Sequence, residues 1–383
     1  MTAPFQLPKS RAGRLRSGRR AGADRANLLL VAMMAVVAIL QLHHVFVQGI
    51  NWDEFFYHSQ IYQLRDGALN AALQTIHTRL FAWLPLVPGG EIEEIRVARA
   101  IMLGCELVTV AGIVAVARHF TSTTAGLIAG LVYLGGGFVF QHGFSFRTDT
   151  ISAAMLMSAL WLMLWSNLSA LKCAAIAALL ALAAMVTIKS IFYAPALLGV
   201  ALFRLADADQ PSRLTLRLIS TGLLSLLLFG GLYALHSSGL ADARETSRTI
   251  LASASDKMFS MGLFPRWNYI LKQAILAPFL AAAILAAPVV IAASTRESAA
   301  KVALSGLLLP IASLIIYRNS FPYFYPFILP PAVAAAAVVL PPLIRRYGAA
   351  AVGAVPLVNA LALYAAMPKD MQRAGHLVAT REG

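Results

Sequence analysis

Long apolar runs separated by short polar breaks dominate this chain, and the runs have the length of membrane helices. The first, from Leu28 to Val47, offers the roughly twenty residues that a spanning helix needs. Comparable runs follow near 98–117, 124–142, 150–166, 171–187, 190–204, 214–236, 271–293, 300–317, 323–343 and 348–366. The pattern predicts an all-α, polytopic integral membrane protein with about eleven transmembrane helices.

The two longest polar intervals, 48–97 and 237–270, then lie on one side of the membrane. The first carries its own periodicity. Tyr57, Ile61 and Leu64 share one helical face, and Leu69, Leu73, Ile76, Leu80 and Leu84 form a second stripe. Spacings of three and four predict two short amphipathic helices lying on the membrane surface, with a break at Arg65-Asp66-Gly67 and a stop at Pro85, Pro88, Gly89 and Gly90.

Composition agrees: 59% of the 383 residues are hydrophobic and 13% charged, and the mean hydropathy is +0.72. The run Leu28–Val47 is too long for the apolar core of a signal peptide and has no small-residue cleavage site after it, so it reads as retained. Cys105 and Cys173 both fall inside apolar runs and read as small buried hydrophobes. The organisation expected is a basic tail at 1–26, a transmembrane domain at 27–366 and a short polar tail at 367–383, with no separate soluble domain.

The net charge of +14 owes its largest block to Lys9, Arg11, Arg14, Arg16, Arg19, Arg20 and Arg25. In front of a first membrane helix, such a block holds the N-terminus in the cytoplasm and meets anionic lipid, which displaces the nucleic-acid reading. After that helix the first basic residue is Arg65, and this asymmetry places the two long loops outside a cytoplasmic-type membrane.

On that outer side the chain gathers its chemistry. Asp53 and Glu54 stand in Asn51-Trp52-Asp53-Glu54 just beyond the first span, where a carboxylate can serve as general base beside a lipid-borne substrate. A divalent metal held by Asp53, Glu54 and His58 is the other arrangement these residues allow. Arg147 and Asp149 stand at an external corner, either as a local ion pair tying the turn or as substrate contacts. Lys189, Arg266 and Arg318 are cations near the same boundary, suited to gripping a lipid-linked phosphate, with simple snorkelling to the interface the other reading for Lys189. Glu106 lies mid-span, protonated or paired with a neighbouring helix. The chain has no HExxH, P-loop, strand-bound GxGxxG or GxSxG, which argues against a structural zinc site and against nucleotide-driven transport.

In order and topology these segments resemble the GT-C superfamily of membrane glycosyltransferases, in the family 39 branch of protein O-mannosyltransferases and lipid A aminoarabinose transferases. The likeness runs from the first helix to about Pro342. It is carried by Asp53-Glu54, the two surface helices, Arg96-Val97-Ala98-Arg99, Phe146-Arg147-Thr148-Asp149, Thr187-Ile188-Lys189 and Tyr323-Phe324-Tyr325-Pro326-Phe327-Ile328-Leu329-Pro330-Pro331. The resemblance implies a polyprenyl-phosphate-linked sugar donor and Asp53 as catalytic acid/base. It also implies inversion by direct displacement, with no required cofactor and a glycan, lipid or protein acceptor. Larger members append a soluble domain that helps bind the acceptor, and the acceptor therefore stays open here. The competing class is a transporter or flippase of lipid-linked sugars, although the inverted halves common in transporters are not apparent.

Overall fold

A computed structural model describes residues 9–238, 240 and 261–367. The stretch 241–260 of the second long loop and the polar tail from 368 lie outside the described residues, as do residues 1–8. Every regular element among those described is helical: α1 (Lys9–Val47), α2 (Trp52–Arg65), α3 (His77–Leu80), α4 (Glu91–Phe120), α5 (Thr123–Leu134), α6 (Gly137–His142), α7 (Thr148–Trp165), α8 (Ala170–Val186), α9 (Ala194–Ala206), α10 (Pro211–Ser237), α11 (Trp267–Leu276), α12 (Pro278–Ala293), α13 (Ser298–Leu308), α14 (Ser313–Ile316), α15 (Tyr325–Ala336), α16 (Leu340–Tyr347) and α17 (Ala349–Ala366).

Eight helical stretches among the described residues are long and apolar enough to span a membrane, or nine if the bent pair α11 and α12 is one span. The two remaining apolar runs form the shorter helices α5 and α8. The run expected at 124–142 divides because Gly135 and Gly136 interrupt it and Gly137 takes φ +51°, a conformation that favours glycine. The run at 271–293 bends by 109° at Ala277–Pro278, where proline offers no N–H to continue the ladder. Both breaks free carbonyls inside an apolar bundle. Asn359 of α17 satisfies one at each, donating to Gly135 O at 2.9 Å and Leu276 O at 3.0 Å.

The bundle core forms where α4 packs on α5 and α7, α7 on α8, and α8 on α10. Helix α15 runs between α4, α5, α7 and α13 and is buried throughout. Close approach of α9 and α13 depends on a Gly199–Gly306 contact: a Cβ on Gly306 would stand 2.6 Å from Pro195 O.

Of the two surface helices expected in the first long loop, α2 forms over fourteen residues. The second stripe supplies only one α-helical turn, α3, followed by a 3-10 turn at Leu84–Leu86. Gln74, at φ +65°, breaks the regular backbone just ahead of it. Leu69, Ile76 and Leu84 are nevertheless buried, so the stripe packs without being a continuous helix. A polar latch ties this segment to the end of α10: buried His236 accepts from Arg79 Nε at Nδ1 (2.8 Å) and lies 2.9 Å from Thr75 Oγ1 through Nε2. Thr75 Oγ1 in turn donates to Ala71 O, so the Nε2 proton is the one directed at Thr75.

Candidate active site

The turn from α1 into α2 sets the geometry. Asn51 caps α2 by accepting from Glu54 N at 3.1 Å, while Glu54 Oε2 accepts from Asn51 N at 3.1 Å, a reciprocal capping box. This cap directs the adjacent carboxylates in different directions. Glu54 points into the bundle, where it is fully buried, and Asp53 points outward with a side chain 38% exposed.

Glu54 is saturated with donors. Arg99 of α4 clamps it through Nε to Oε1 (2.7 Å) and Nη2 to Oε2 (2.6 Å), and Phe146 N reaches Oε1 at 2.8 Å. Burial alone would raise its pKa, but the Arg99 hydrogen bonds and charge, with the backbone donors, hold the carboxyl below the usual glutamate range. The same guanidinium caps the end of α1, donating to Val45 O (3.3 Å), Gln48 O (2.7 Å) and Gly49 O (2.9 Å). One buried arginine thus joins α1, α2 and α4 around the exposed Asp53.

Asp53 Oδ2 accepts from Arg147 Nη1. Arg147 comes from the turn between α6 and α7, which Phe146 anchors on Glu54. Its guanidinium lies 3.3 Å over the Tyr323 ring and 5.5 Å from that of Tyr57. Arg147 Nε is 3.7 Å from Asp149 Oδ2, beyond hydrogen-bond reach, and both atoms lack hydrogen-bond partners among the described residues. Lys189, in the 3-10 segment Ile188–Tyr193, bonds Asp149 Oδ1. The result is a row of alternating sign, Asp53, Arg147, Asp149 and Lys189, in which the first member is the most exposed. Asp53 Oδ1 carries no hydrogen bond among the described residues.

Arg266 reaches the same neighbourhood through aromatic rings. It lies 4.5 Å over Phe321, which stacks on Tyr323 at 5.6 Å, so Arg266, Phe321, Tyr323 and Arg147 form one cation–aromatic column. Arg318 makes no hydrogen bond or ion pair among the described residues.

The metal arrangement over Asp53, Glu54 and His58 does not fit. Glu54 spends both oxygens on four donors, and His58 Nε2 pairs at 2.7 Å with buried Glu94, which also accepts from Tyr62. No group of three His, Cys, Asp or Glu side chains among the described residues converges to hold a metal. Glu106 is paired with a neighbouring helix: Gln41 of α1 donates to it at 3.0 Å. Sequence reasoning assigned no chemistry to Arg99, Tyr57 or Glu94. An arginine within an apolar span was the available signal for Arg99.

A scan of family models and a search of curated proteins each returned no match. Solved structures do match. ArnT from Cupriavidus metallidurans bound to undecaprenyl phosphate superposes with TM-score 0.60 at 15% identity, covering 81% of this chain and 59% of ArnT. The Archaeoglobus fulgidus oligosaccharyltransferase in complex with Zn and sulfate gives 0.58 at 14% identity, covering 87% of this chain and 53% of the other. Its counterpart AglB, with an inhibitory peptide and a dolichol-phosphate, gives 0.58 at 13%, covering 88% and 56%. The chain has the GT-C fold. The chain spans somewhat more than half the length of each of these structures.

Proposed function

We propose that this GT-C protein transfers a sugar from a polyprenyl-phosphate-linked donor to an acceptor hydroxyl on the extracytoplasmic face of the membrane. The observation that carries the reading is Asp53: an exposed carboxylate, held at a helix N-terminus by a buried framework, at the end of a row of alternating charges. Fold likeness to ArnT bound to undecaprenyl phosphate supports the donor class.

Arg147 fixes Oδ2 of Asp53 and leaves Oδ1 to accept the proton of the acceptor hydroxyl. The freed hydroxyl oxygen attacks the anomeric carbon from the face opposite the phosphate, the C–O bond to phosphate breaks, and configuration inverts. Negative charge then grows on the leaving lipid phosphate, where Lys189, Arg266 and Arg318 stabilise it. Glu54 acts at one remove, since every donor around it serves to hold Asp53 in place. Arg147 and Asp149 shape the site, and Asp149 keeps Lys189 positioned through their ion pair.

The test uses purified protein in lipid, offered polyprenyl-phosphate sugars of several kinds with a membrane extract as the source of acceptors. Free polyprenyl phosphate is expected with the wild type and not with Asp53→Asn. Absence of release with every donor would remove the transferase reading and make a flipping assay the next measurement.

A further inference from the structure

Glu106 stands roughly two helical turns further along α4 than Arg99 and is fully buried. It joins no ion pair among the described residues, and the guanidinium of Arg99 is committed to Glu54. Its one hydrogen-bond partner among them is Gln41 of α1, whose Nε2 donates to Glu106 Oε1 at 3.0 Å. Two buried oxygens of this pair, Glu106 Oε2 and Gln41 Oε1, are then left without a donor among the described residues. In an ionised acid and an amide both are acceptors, and turning the amide over only exchanges one mismatch for another. The neighbours do not supply the missing hydrogen. Tyr133 of α5, within electrostatic reach of the carboxyl, donates to Pro326 O at 2.8 Å. His44, one turn along α1 from Gln41, stacks on Phe144, and neither of its nitrogens has a partner among the described residues.

One proton resolves the mismatch. Placed on Glu106 Oε2, it lets the acid donate to Gln41 Oε1 while Gln41 donates to Glu106 Oε1, the reciprocal pairing of a neutral acid with an amide. An unpaired charge is expensive in an apolar bundle, and the neutral pair avoids it. The same carboxyl also touches the corner that carries the site. It lies against Gly143, the residue that closes α6, where a Cβ would collide with both carboxyl oxygens. Gly143 O accepts from Thr150 Oγ1 at 2.9 Å, which ties this point to the first turn of α7. Phe144 packs with Val45 of α1 and Leu103 of α4. At the other end of the corner, Phe146 N meets Glu54 and Arg147 meets Asp53.

We propose that Glu106 is a neutral carboxylic acid closed on Gln41 in a reciprocal pair, and that it is a positioning residue: it seats the corner at 143–147 from within the membrane and so fixes where Arg147 meets Asp53. The positioning role rests on the function proposed above, whereas the neutral pair stands on the hydrogen-bond accounting alone. A glycine at position 143 follows from the same arrangement, since only a residue without a side chain lets the backbone rest on the carboxyl.

The test pairs infrared spectroscopy with turnover on purified protein in phosphatidylcholine nanodiscs. The spectrum of wild type minus Glu106→Gln is expected to contain the carbonyl stretch of a protonated acid; a carboxylate band in its place would overturn the neutral pair. Glu106→Gln keeps one donor and one acceptor and is expected to retain transfer. Glu106→Ala is expected to lower kcat by about a hundredfold with the donor KM little changed, the scale of a misplacement of about 1 Å. Gly143→Ala is expected to lower kcat likewise, and the double variant to be no worse than Glu106→Ala, because the new methyl enters the space the carboxyl leaves. Wild-type kcat in Glu106→Ala, or losses that multiply in the double variant, would overturn the positioning role. So would a folded Glu106→Gln that no longer turns over, a result that stands even where Glu106→Ala does not fold. Absence of transfer by the wild type with every donor would overturn the proposed function and the positioning role with it, while the infrared band would still report the neutral pair.

Discussion

Asp53 and Glu54 are chain neighbours with the same functional group, and the fold treats them oppositely. Glu54 faces four donors from Arg99, Phe146 and Asn51 and has no contact with solvent. Asp53 meets one guanidinium on one oxygen and keeps the other free among the described residues. Carboxylates become frameworks or reagents according to how many of their lone pairs are already used. A single step around α2, roughly 100° of helical turn, separates the two fates.

Removing the proposed base and removing the framework are therefore expected to have different signatures. Asp53→Asn is expected to cut transfer by about 10²- to 10⁴-fold, the usual contribution of a positioned base, with thermal stability little changed. Loss of fold in that variant would instead make Asp53 structural. Arg99→Leu is expected to cost about 3–5 kcal/mol of stability, because it leaves Glu54 charged and buried with its main partner gone. Denaturant unfolding in detergent reads that cost, and a variant as stable as wild type would mean that the clamp carries no energy.

Acid sharpens the comparison next. Glu54 has a folded pKa below its unfolded value, so its contribution is present above about pH 4.3 and fades as pH falls through the folded value. Buried His77 also opposes acid: desolvation, its largest cause, lowers its pKa to about 4. Below about 6.5 the unfolded chain binds a proton there that the folded chain refuses, so stability declines between about pH 6.5 and 4, by at most about 1.4 kcal/mol per pH unit. His77→Gln is expected to flatten the melting temperature over that window, and an unaltered slope would assign it to other groups. The smallest effect belongs to the cap. Asn51→Ala is expected to cost about 1 kcal/mol by removing the acceptor for Glu54 N, with a measurable loss of transfer as Asp53 loosens.

The apolar runs were legible because membrane helices write their length directly into the sequence, and all eleven coincide with helical segments even where two are short and one is bent. The second surface stripe was misleading. Leu69, Ile76 and Leu84 are buried while Leu80 is exposed, and Gln74 turns the backbone aside, so partial burial of a stripe does not require one continuous helix. Asp53, Arg147, Asp149 and Lys189 stood out as ionised residues beside apolar runs, and the fold brings them together. Their partners were harder to see. Nothing local tells that Arg99 meets Glu54 forty-five positions away, or that Tyr323 lies beneath Arg147, since such pairings arise only when distant helices pack. Helix α11 was hidden because it merged with α12 in the hydropathy pattern, and only the bend separates them.

The latch at His236 couples the end of α10 to the first long loop, which are distant in sequence. Because its Nδ1 accepts from Arg79 while its Nε2 donates to Thr75, the imidazole cannot gain a proton without losing Arg79, nor rotate without releasing both partners. The segment around Thr75 and Arg79 also carries Phe81, which packs edge-on against Phe146 at 5.1 Å, beside the backbone donor to Glu54. In the language of amide exchange, the end of α10 and the first long loop are expected to form one opening unit, whose protection is gained and lost together.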